Sequence, residues 1–427
     1  MNFVIVGSGP AGIFAAETIR KRDAVHSITM VSENNLAAQS PVMLTYWMTG
    51  NHPREILFFR DTSWADKEGV DVRINCQVVG LDTKAKRLIL TNGELIPFDK
   101  LLIATGSSPI SLPIPGVDAK GVTSLRYLSD AETIFHRGID LKKLVIIGGG
   151  FIGLKLACHL RERNLEVAVL EKEPKLAPRM LDHKASLLIA EELTKHGIRV
   201  EVDVEVIEIL HDNGWVTGVR LKDGRTFPSQ IVFQAVGVRP NVRFLADSGI
   251  DLQGGVLVNE HMETNVSGVY GAGDVAMTID SITSERVNNA TWPAAARQGT
   301  IAGWNMTGGN RTYIHNFPLN ALDLFDLRVM AGGHPYYEKG EGIDVHIEHA
   351  GGSYRKALMR NGKLIGFILV GDVSGAGFLL NLMKRKPELS RNPLSLLNSR
   401  VGLQDSVPPN LGYRHGELFV ATGEKYR

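Results

Sequence analysis

The chain has 427 residues, 44% of them hydrophobic and 22% charged, with 47 lysines and arginines against 46 aspartates and glutamates. At roughly 150 residues per domain this means two or three domains with sizeable cores, and the near-zero net charge gives no reason to expect a nucleic-acid partner or an anionic membrane. Only Cys76 and Cys158 are present, too few for an iron–sulfur set, a zinc knuckle or a disulfide framework.

The N-terminus runs directly into Phe3-Val4-Ile5-Val6 without a basic leader, and no stretch reaches about 18 uninterrupted apolar residues, so a cytoplasmic location without membrane insertion is expected. Glycine is the unusual count, 45 residues. In chain order, a strand at Phe3 to Val6 leads through Gly7, Gly9 and Gly12 into a helical pattern over Ile13 to Arg20 and a strand at Ser27 to Val31. A strand at Lys100 to Ala104 ends in Thr105-Gly106, and Leu112-Pro113-Ile114-Pro115-Gly116 reads as an inter-domain connection. The first pattern then repeats: a strand over Leu144 to Ile147, glycines at 148, 149, 150 and 153, a helix over Ile152 to Leu160 and a strand at Val167 to Leu170. Ile231 to Gly237 reads as a strand and turn followed by a second crossing at Arg239-Pro240-Asn241, and Gly268 to Asp274 as a strand ending in a carboxylate. Beyond about residue 320 come alternating segments such as Lys363 to Val370 and a helical run over Phe378 to Lys384.

These patterns predict an α/β protein with two Rossmann-like dinucleotide-binding domains, the second inserted in the first, plus a smaller C-terminal α+β domain. The expected boundaries are 1–116 and 246–318 for the split first domain, 117–245 for the inserted one, and 319–427 for the C-terminal interface domain.

Gly7-Ser8-Gly9-Pro10-Ala11-Gly12 fits GxGxxG between a strand and a helix. The first glycine permits the tight turn, the second the approach of a pyrophosphate, and the third close packing of helix on strand. Glu33, 26 positions after Gly7, is placed to accept hydrogen bonds from a ribose; a tight turn without a ligand is the plain alternative. Gly148, Gly150, Phe151, Ile152 and Gly153 repeat the logic, with Glu171 in the ribose position. A carboxylate there opposes the extra phosphate of NADP, so NAD(H) is expected and NADP less so, although Lys172 next door works against the preference by shielding a phosphate.

With two dinucleotide sites on one chain, the sequence resembles the FAD-dependent pyridine-nucleotide oxidoreductases, which include rubredoxin and ferredoxin reductases, NADH oxidases and the flavoprotein part of assimilatory nitrite reductase. The matching stretches are Val4 to Gly12, Phe98 to Gly106, Lys143 to Ala157, Ala235 to Asn241, Thr264 to Ala276 and Trp292 to Gly308. The resemblance implies FAD on the first repeat, contacted by Gly7, Gly9, Pro10, Ala11, Gly12 and Glu33, by Ser40 and Pro41, by Val78 at the adenine, and by Ala104, Thr105 and Gly106. It also implies Gly273 and Asp274 at the ribityl chain, with Trp292 and Arg126 nearby, and Gly237 with Arg239 to Asn241 close to the nicotinamide. Read on their own, Asp274 is equally a helix cap, Arg126 and Asp130 an i, i+4 surface pair, and Trp292 a core aromatic.

The departures narrow the chemistry. Disulfide reductases of this superfamily carry a CxxxxC pair beside the flavin and the oxidase branch a single cysteine, whereas Ala38 to Gly50 here contains none, which excludes thiol chemistry at the flavin. The ferredoxin-reductase-like branch pairs a lysine in this segment with a glutamate in GLEVA; here those positions hold Thr45 and Lys155. Lys155 is therefore expected to be the cation near flavin and nicotinamide, the alternative being a lysine that extends into solvent.

Lys384-Arg385-Lys386 is either a solvated helix end or part of a docking face for an acidic iron–sulfur protein. No HxxxH or HxH grouping occurs among the thirteen histidines, so no metal site is expected. The expected function is electron exchange between NAD(H), FAD and an iron–sulfur protein or the iron–sulfur subunits of a larger complex, the chain being an oligomer or a complex subunit; a phenylglyoxylate-type dehydrogenase complex is one such setting. An NADH oxidase releasing hydrogen peroxide is one rival, and a flavin-bound assembly protein switched by NADH another.

Overall fold

Phe3 to Val6 are apolar at successive positions because the strand they belong to, β1 (Asn2–Val6), is buried on both faces at the centre of a parallel sheet. The computed structural model describes residues 1–35, 37–135, 141–314, 316–337, 342–389, 393–394, 411–414 and 417–420. They fall into two units, one of residues 1–148, 159–167 and 206–316, the other of residues 149–158, 168–205 and 317–427.

In the first unit, β1 is flanked in parallel by β2 (Ser27–Val31) and β7 (Lys100–Ile103), and β3 (Val70–Arg73) and β19 (Val269–Gly271) complete the order β19-β7-β1-β2-β3. Helix α1 (Pro10–Arg22) begins with proline where a missing N–H costs nothing, and ends on Arg20, Lys21 and Arg22 at the negative end of its dipole. The long crossing from β2 to β3 holds the short helices α2 (Val42–Trp47) and α3 (Trp64–Glu68). A three-stranded antiparallel sheet follows, β4 (Val78–Asp82), β5 (Arg87–Leu90) and β6 (Leu95–Pro97).

Of the two segments read as crossings, Arg239-Pro240-Asn241 begins inside a strand that pairs with residues just ahead of the other, Leu112 to Gly116. The chain leaves its sheet after Gln234, turns at Gly237 (φ +116°), and pairs β17 (Val238–Pro240) antiparallel with β8 (Ser107–Pro109). The strand-and-turn read over Ile231 to Gly237 is β16 (Ile231–Gln234) and the turn after it, the strand flanked in parallel by β9 (Val122–Thr123) and β10 (Lys143–Ile147). Helix α4 (Leu128–Phe135) precedes β10. Two antiparallel sheets, β13 (Val206–Asp212) with β14 (Trp215–Leu221) and β15 (Thr226–Pro228), and β20 (Ala276–Ile279) with β21 (Arg286–Val287), add to the unit, β18 (Val256–Leu257) running parallel to β20. Helix α7 (Trp292–Met306) lies against α1 with backbones in contact: a Cβ on Gly299 would stand 2.0 Å from the Ala11 carbonyl oxygen.

In the second unit, residues 168–170 of β11 (Glu166–Leu170) pair in parallel with β12 (Arg199–Glu201). Helix α5 (Phe151–Arg161) enters this unit through residues 151–158, and α6 (His183–Lys195) lies between β11 and β12 in the chain. The C-terminal sheet is antiparallel, in the order β22 (Leu319–Leu324), β23 (Leu327–Gly333), β26 (Lys363–Val370), β25 (Ser353–Arg360), β24 (Ile343–Ala350), with α8 (Ala376–Arg385) packed on β26. The alternation expected in Lys363 to Val370 is absent. Leu364 to Val370 are all buried because β26 is a central strand contacted by both α8 and α6.

Helix α6 is fastened to this sheet by one carboxylate. Asp182 caps it by accepting from Ala185 N (3.0 Å), while its other oxygen accepts from the Tyr354 hydroxyl (2.5 Å) and faces Lys356 Nζ at 3.0 Å. Burial pushes the Asp182 pKa up, but the Tyr354 hydroxyl, the Ala185 N–H and Lys356 together outweigh it and hold the acid below the usual carboxylate range. A lowered folded-state value means that the contribution is complete above the ordinary carboxylate pKa and is lost as the pH falls through the folded one. Asp182→Asn, which keeps a capping group but removes the charge, is expected to cost about 3 kcal/mol at neutral pH. In denaturant titrations at pH 7 and pH 3 the gap between variant and parent should narrow at the acid end.

Candidate active site

Three glycines shape the turn between β1 and α1, each under a different constraint. Gly7 has φ +117° and a Cβ there would lie 2.1 Å from the Ala104 carbonyl oxygen; one on Gly12 would lie 2.0 Å from the Gly7 carbonyl oxygen. Both are demanded by the protein's own packing. Gly9 has nothing within 4 Å of the corresponding position, so its backbone, at the N-terminus of α1, faces open space. A diphosphate fits there, drawn by unsatisfied N–H groups and the positive helix end. Pro10 and Ala11 begin the helix, and the exposed Glu33 walls a 460 Å³ cavity with Asn34, Asn75, Gln77 and Tyr127, next to Val78 at the start of β4.

The second turn repeats this division. Gly148 (φ +110°) would place a Cβ 2.5 Å from the Ala235 carbonyl oxygen, while Gly150 has open space. Phe151 is half-buried, Ile152 is 59% exposed, an unusual position for an isoleucine that suits a flat apolar ligand, and Gly153 is buried in α5. The acids after the two turns are not equivalent. Glu171 is buried and engaged by its own backbone, Oε2 accepting from Gly149 N (2.6 Å) and Oε1 from Glu173 N (2.8 Å). The carboxylate at this position is thus already oriented by the turn. Lys172, the basic neighbour, is drawn to Glu205 (2.7 Å), which raises its pKa and turns its charge to a local partner.

Beyond β7, Ala104 is buried and Gly106 adopts φ +66°. Asn241 stitches this loop: its N–H donates to Gly106 O (3.0 Å), its Nδ2 to Thr105 O (3.0 Å), and its carbonyl accepts from Thr105 Oγ1 (2.8 Å). Gly273 (φ +82°) donates its N–H to the buried Gln298 Oε1 (2.8 Å), and Asp274 accepts from Ser107 Oγ (2.9 Å) while capping no helix. The Arg126–Asp130 surface pair is corrected. Asp130 accepts the backbone N–H groups of Arg126 and Tyr127 (2.7 and 2.8 Å), and the Arg126 guanidinium lies 3.8 Å from Asp274 instead. Ser107 carried no motif signal, and neither did the pairings of Gln298 with Gly273 and of Asn241 with Thr105 and Gly106, because each spans more than 20 positions of chain.

Trp292, at the start of α7, packs edge-on to Phe14 (5.7 Å) and Phe59 (5.5 Å), as a core aromatic would. Its Nε1, however, is a buried donor without a partner, as is Gln39 Nε2 in the loop before α2. Two such donors are costly unless an acceptor-rich group is supplied from outside the protein, and the acceptor edge of an isoalloxazine ring is such a group. Ser40 is buried with its N–H on Leu57 O (2.8 Å), Pro41 precedes α2, and Thr45 is buried within it, its hydroxyl 3.4 Å from Val42 O. Lys155 lies half-buried on α5. Cys76 follows β3 with Sγ 3.3 Å from Ile74 O, and Cys158 is buried in α5.

A second cavity of 470 Å³ lies along α7, lined by Arg297, Thr300, Ile301, Asn310, Arg311 and Thr312. Beside it the Trp304 ring is held between Arg22 (3.8 Å) and Arg311 (3.5 Å), giving this surface a concentrated positive charge.

Two glycine-turn dinucleotide folds, one with orphaned donors beside it, define a two-dinucleotide oxidoreductase. The chain belongs to the pyridine nucleotide-disulphide oxidoreductase family, whose model matches residues 1–299, and residues 318–387 match the rubredoxin NAD+ reductase C-terminal domain. The family binds FAD and NAD(H), and its members are flavin-dependent oxidoreductases. The chain is 30% identical over 393 residues to the nitrite reductase [NAD(P)H] of Bacillus subtilis (strain 168), covering 91% of itself but only 48%, about half, of that protein's length. It is 28% identical to the NADH-dependent phenylglyoxylate dehydrogenase subunit epsilon of Aromatoleum evansii, covering 91% of itself and 93% of that subunit. Among solved structures, the NAD-dependent persulfide reductase from A. fulgidus superimposes with a TM-score of 0.84 at 25% identity, over 94% of this chain and 79% of that one. No helix among the described residues is long and apolar enough to cross a membrane.

The two kinds of glycine should respond differently to a methyl group. Gly12→Ala is expected to destabilise the fold by about 3 kcal/mol or more, since the Cβ meets backbone. Gly9→Ala should leave the apoprotein's melting temperature unchanged and weaken FAD retention at least tenfold, read by flavin fluorescence in ultrafiltrates.

Proposed function

We propose that this chain passes electrons between NAD(H) and an iron–sulfur protein, or the iron–sulfur subunits of a larger complex, through its FAD. The observation that carries this reading is the segment Ala38 to Gly50, which lacks the cysteine that disulfide- and peroxide-handling members use, so electrons have no thiol in that segment to rest on and must leave the chain. FAD, when bound, would supply the junction between two-electron hydride chemistry and one-electron transfer.

In this reading Gly9, Pro10 and Ala11 hold the FAD diphosphate, Glu33 the ribose, and Ser107-oriented Asp274 the ribityl chain, with Arg126 neutralising charge beside it. Gln39 and Trp292 donate to the ring, while Ser40, Pro41, Ala104, Thr105 and Gly106 exclude water around it. Gly148, Gly150, Phe151, Ile152 and Gly153 form the NAD(H) turn, with Gly237 beside the nicotinamide. Glu171, braced by the Gly149 and Glu173 N–H groups, takes the ribose and disfavours a 2′-phosphate; Lys172, committed to Glu205, does little to offset it. Lys155 supplies positive charge in the place where ferredoxin-reductase-like relatives hold an acid, and Thr45 replaces their lysine, which avoids two like charges. The arginine surface of α7, with Arg297 and Arg311, suits an acidic partner and would make association salt-dependent.

A stopped-flow experiment tests the function. Anaerobic NADH should bleach the flavin rapidly, air should reoxidise it slowly, and a ferredoxin-like acceptor rapidly; fast oxygen consumption would instead mark an oxidase, and sluggish bleaching with a change of oligomeric state an NADH-switched assembly protein. Lys155→Met should slow the reductive half-reaction at least tenfold and lower the flavin potential, whereas unchanged values would show that Lys155 only solubilises its helix face.

A further inference from the structure

We infer that Glu192, His196 and Asp326 form a binding site for a divalent transition-metal ion of the zinc or manganese class. The inference concerns the second unit alone and stands whether or not the electron-transfer reading holds.

Three features place the donors together. Glu192 lies in the last turn of α6 and His196 is the residue that caps it, an i, i+4 pair that shares one helix face. Asp326 follows Phe325 in the two-residue turn joining β22 to β23. Phe325 takes a left-handed backbone (φ +52°), a conformation that disfavours a bulky side chain, and its ring lies flat on the His196 imidazole at 3.8 Å and 10°. That stacking holds the turn over the helix end and brings Asp326 to the same point. One donor atom from each of the three residues then lies within 4.8 Å of the others.

The chemistry of the donors selects the ion. Glu192 Oε1 is fully buried and accepts no hydrogen bond; His196 Nδ1, 3.3 Å from it, also lies 2.9 Å from the Glu192 backbone carbonyl oxygen, and Lys195 is directed to the other carboxylate oxygen at 3.4 Å. A buried carboxylate oxygen that accepts no hydrogen bond is favourable ground for a cation. One imidazole nitrogen with two carboxylate oxygens suits Zn2+ or Mn2+, while calcium and magnesium sites are built from oxygen alone. Bond lengths of about 2.0–2.2 Å require these donors to stand roughly 3.4 Å apart in a tetrahedral site. The trio must close by no more than about 1.4 Å, and Asp326, exposed at a hairpin tip, has the freedom to do so. The ion would pin the C-terminal sheet to the end of α6 opposite the Asp182–Tyr354–Lys356 clamp. Sequence spacing could not reveal the site, because Asp326 is 130 positions from His196.

The test uses the full-length flavoprotein, stripped with chelator and titrated calorimetrically with Zn2+ alone. One zinc per chain is expected, with a rise in melting temperature. Asp326→Asn, at an exposed position that leaves the fold intact, should weaken binding at least tenfold, as should His196→Gln, with flavin content unchanged in both. Substoichiometric zinc overturns the proposal. So does zinc affinity that neither variant alters, and if these variants also lower the metal-free melting temperature, the trio is a hydrogen-bonded latch between helix and hairpin.

Discussion

Backbone meets backbone where this fold is tightest, and the fold depends on there being no side chain in between. Gly7 against Ala104, Gly12 against Gly7, Gly148 against Ala235 and Gly299 against Ala11 are each so close that a single methyl group would stand 2.5 Å or less from a carbonyl oxygen. These approaches set the path of β1 into α1 beside the end of β7, and seat α7 on α1. The openings at Gly9 and Gly150 are their by-product: with the turn held tight on both sides, the glycine between is left facing outward at a helix N-terminus, where an anion is favoured.

Around that frame the charged and polar groups are committed to one another before any cofactor arrives. Asn241 fixes the Thr105–Gly106 loop, Ser107 orients Asp274, Gln298 holds Gly273, and Glu171 braces the glycine turn that precedes it. The exceptions are the informative places. Gln39 and Trp292 each keep a buried donor unanswered, and an isoleucine stands exposed on the second turn. A protein that satisfies nearly all its buried polar atoms leaves such groups where a ligand completes them. The family's chemistry and the absent cysteine converge on the same reading, a flavin that hands its electrons outward.

The glycine turns, their flanking strands and helices, and the acids that follow were legible because those signals are local: apolar runs, glycine spacing and a carboxylate at a set distance all lie within about 30 residues. The alternation expected in Lys363 to Val370 failed for a physical reason. A strand covered on both faces has no solvent side to be polar on, and β26 is such a strand. Likewise Arg126 and Asp130 suggested a helical pair by spacing, yet the acid went to backbone N–H groups and the guanidinium toward Asp274.

What the sequence by itself determined was the type and order of the main elements, the two dinucleotide turns and the lack of a cysteine between Ala38 and Gly50, since each of these is a property of neighbouring residues. Only the tertiary structure decided that β8 and β17 pair, that Glu33 faces a cavity while Glu171 turns inward, and that Asp326 comes to Glu192 and His196. Those outcomes depend on which distant strands and turns are brought into register, and a side chain's partner across 100 residues is chosen by packing geometry that no local pattern encodes.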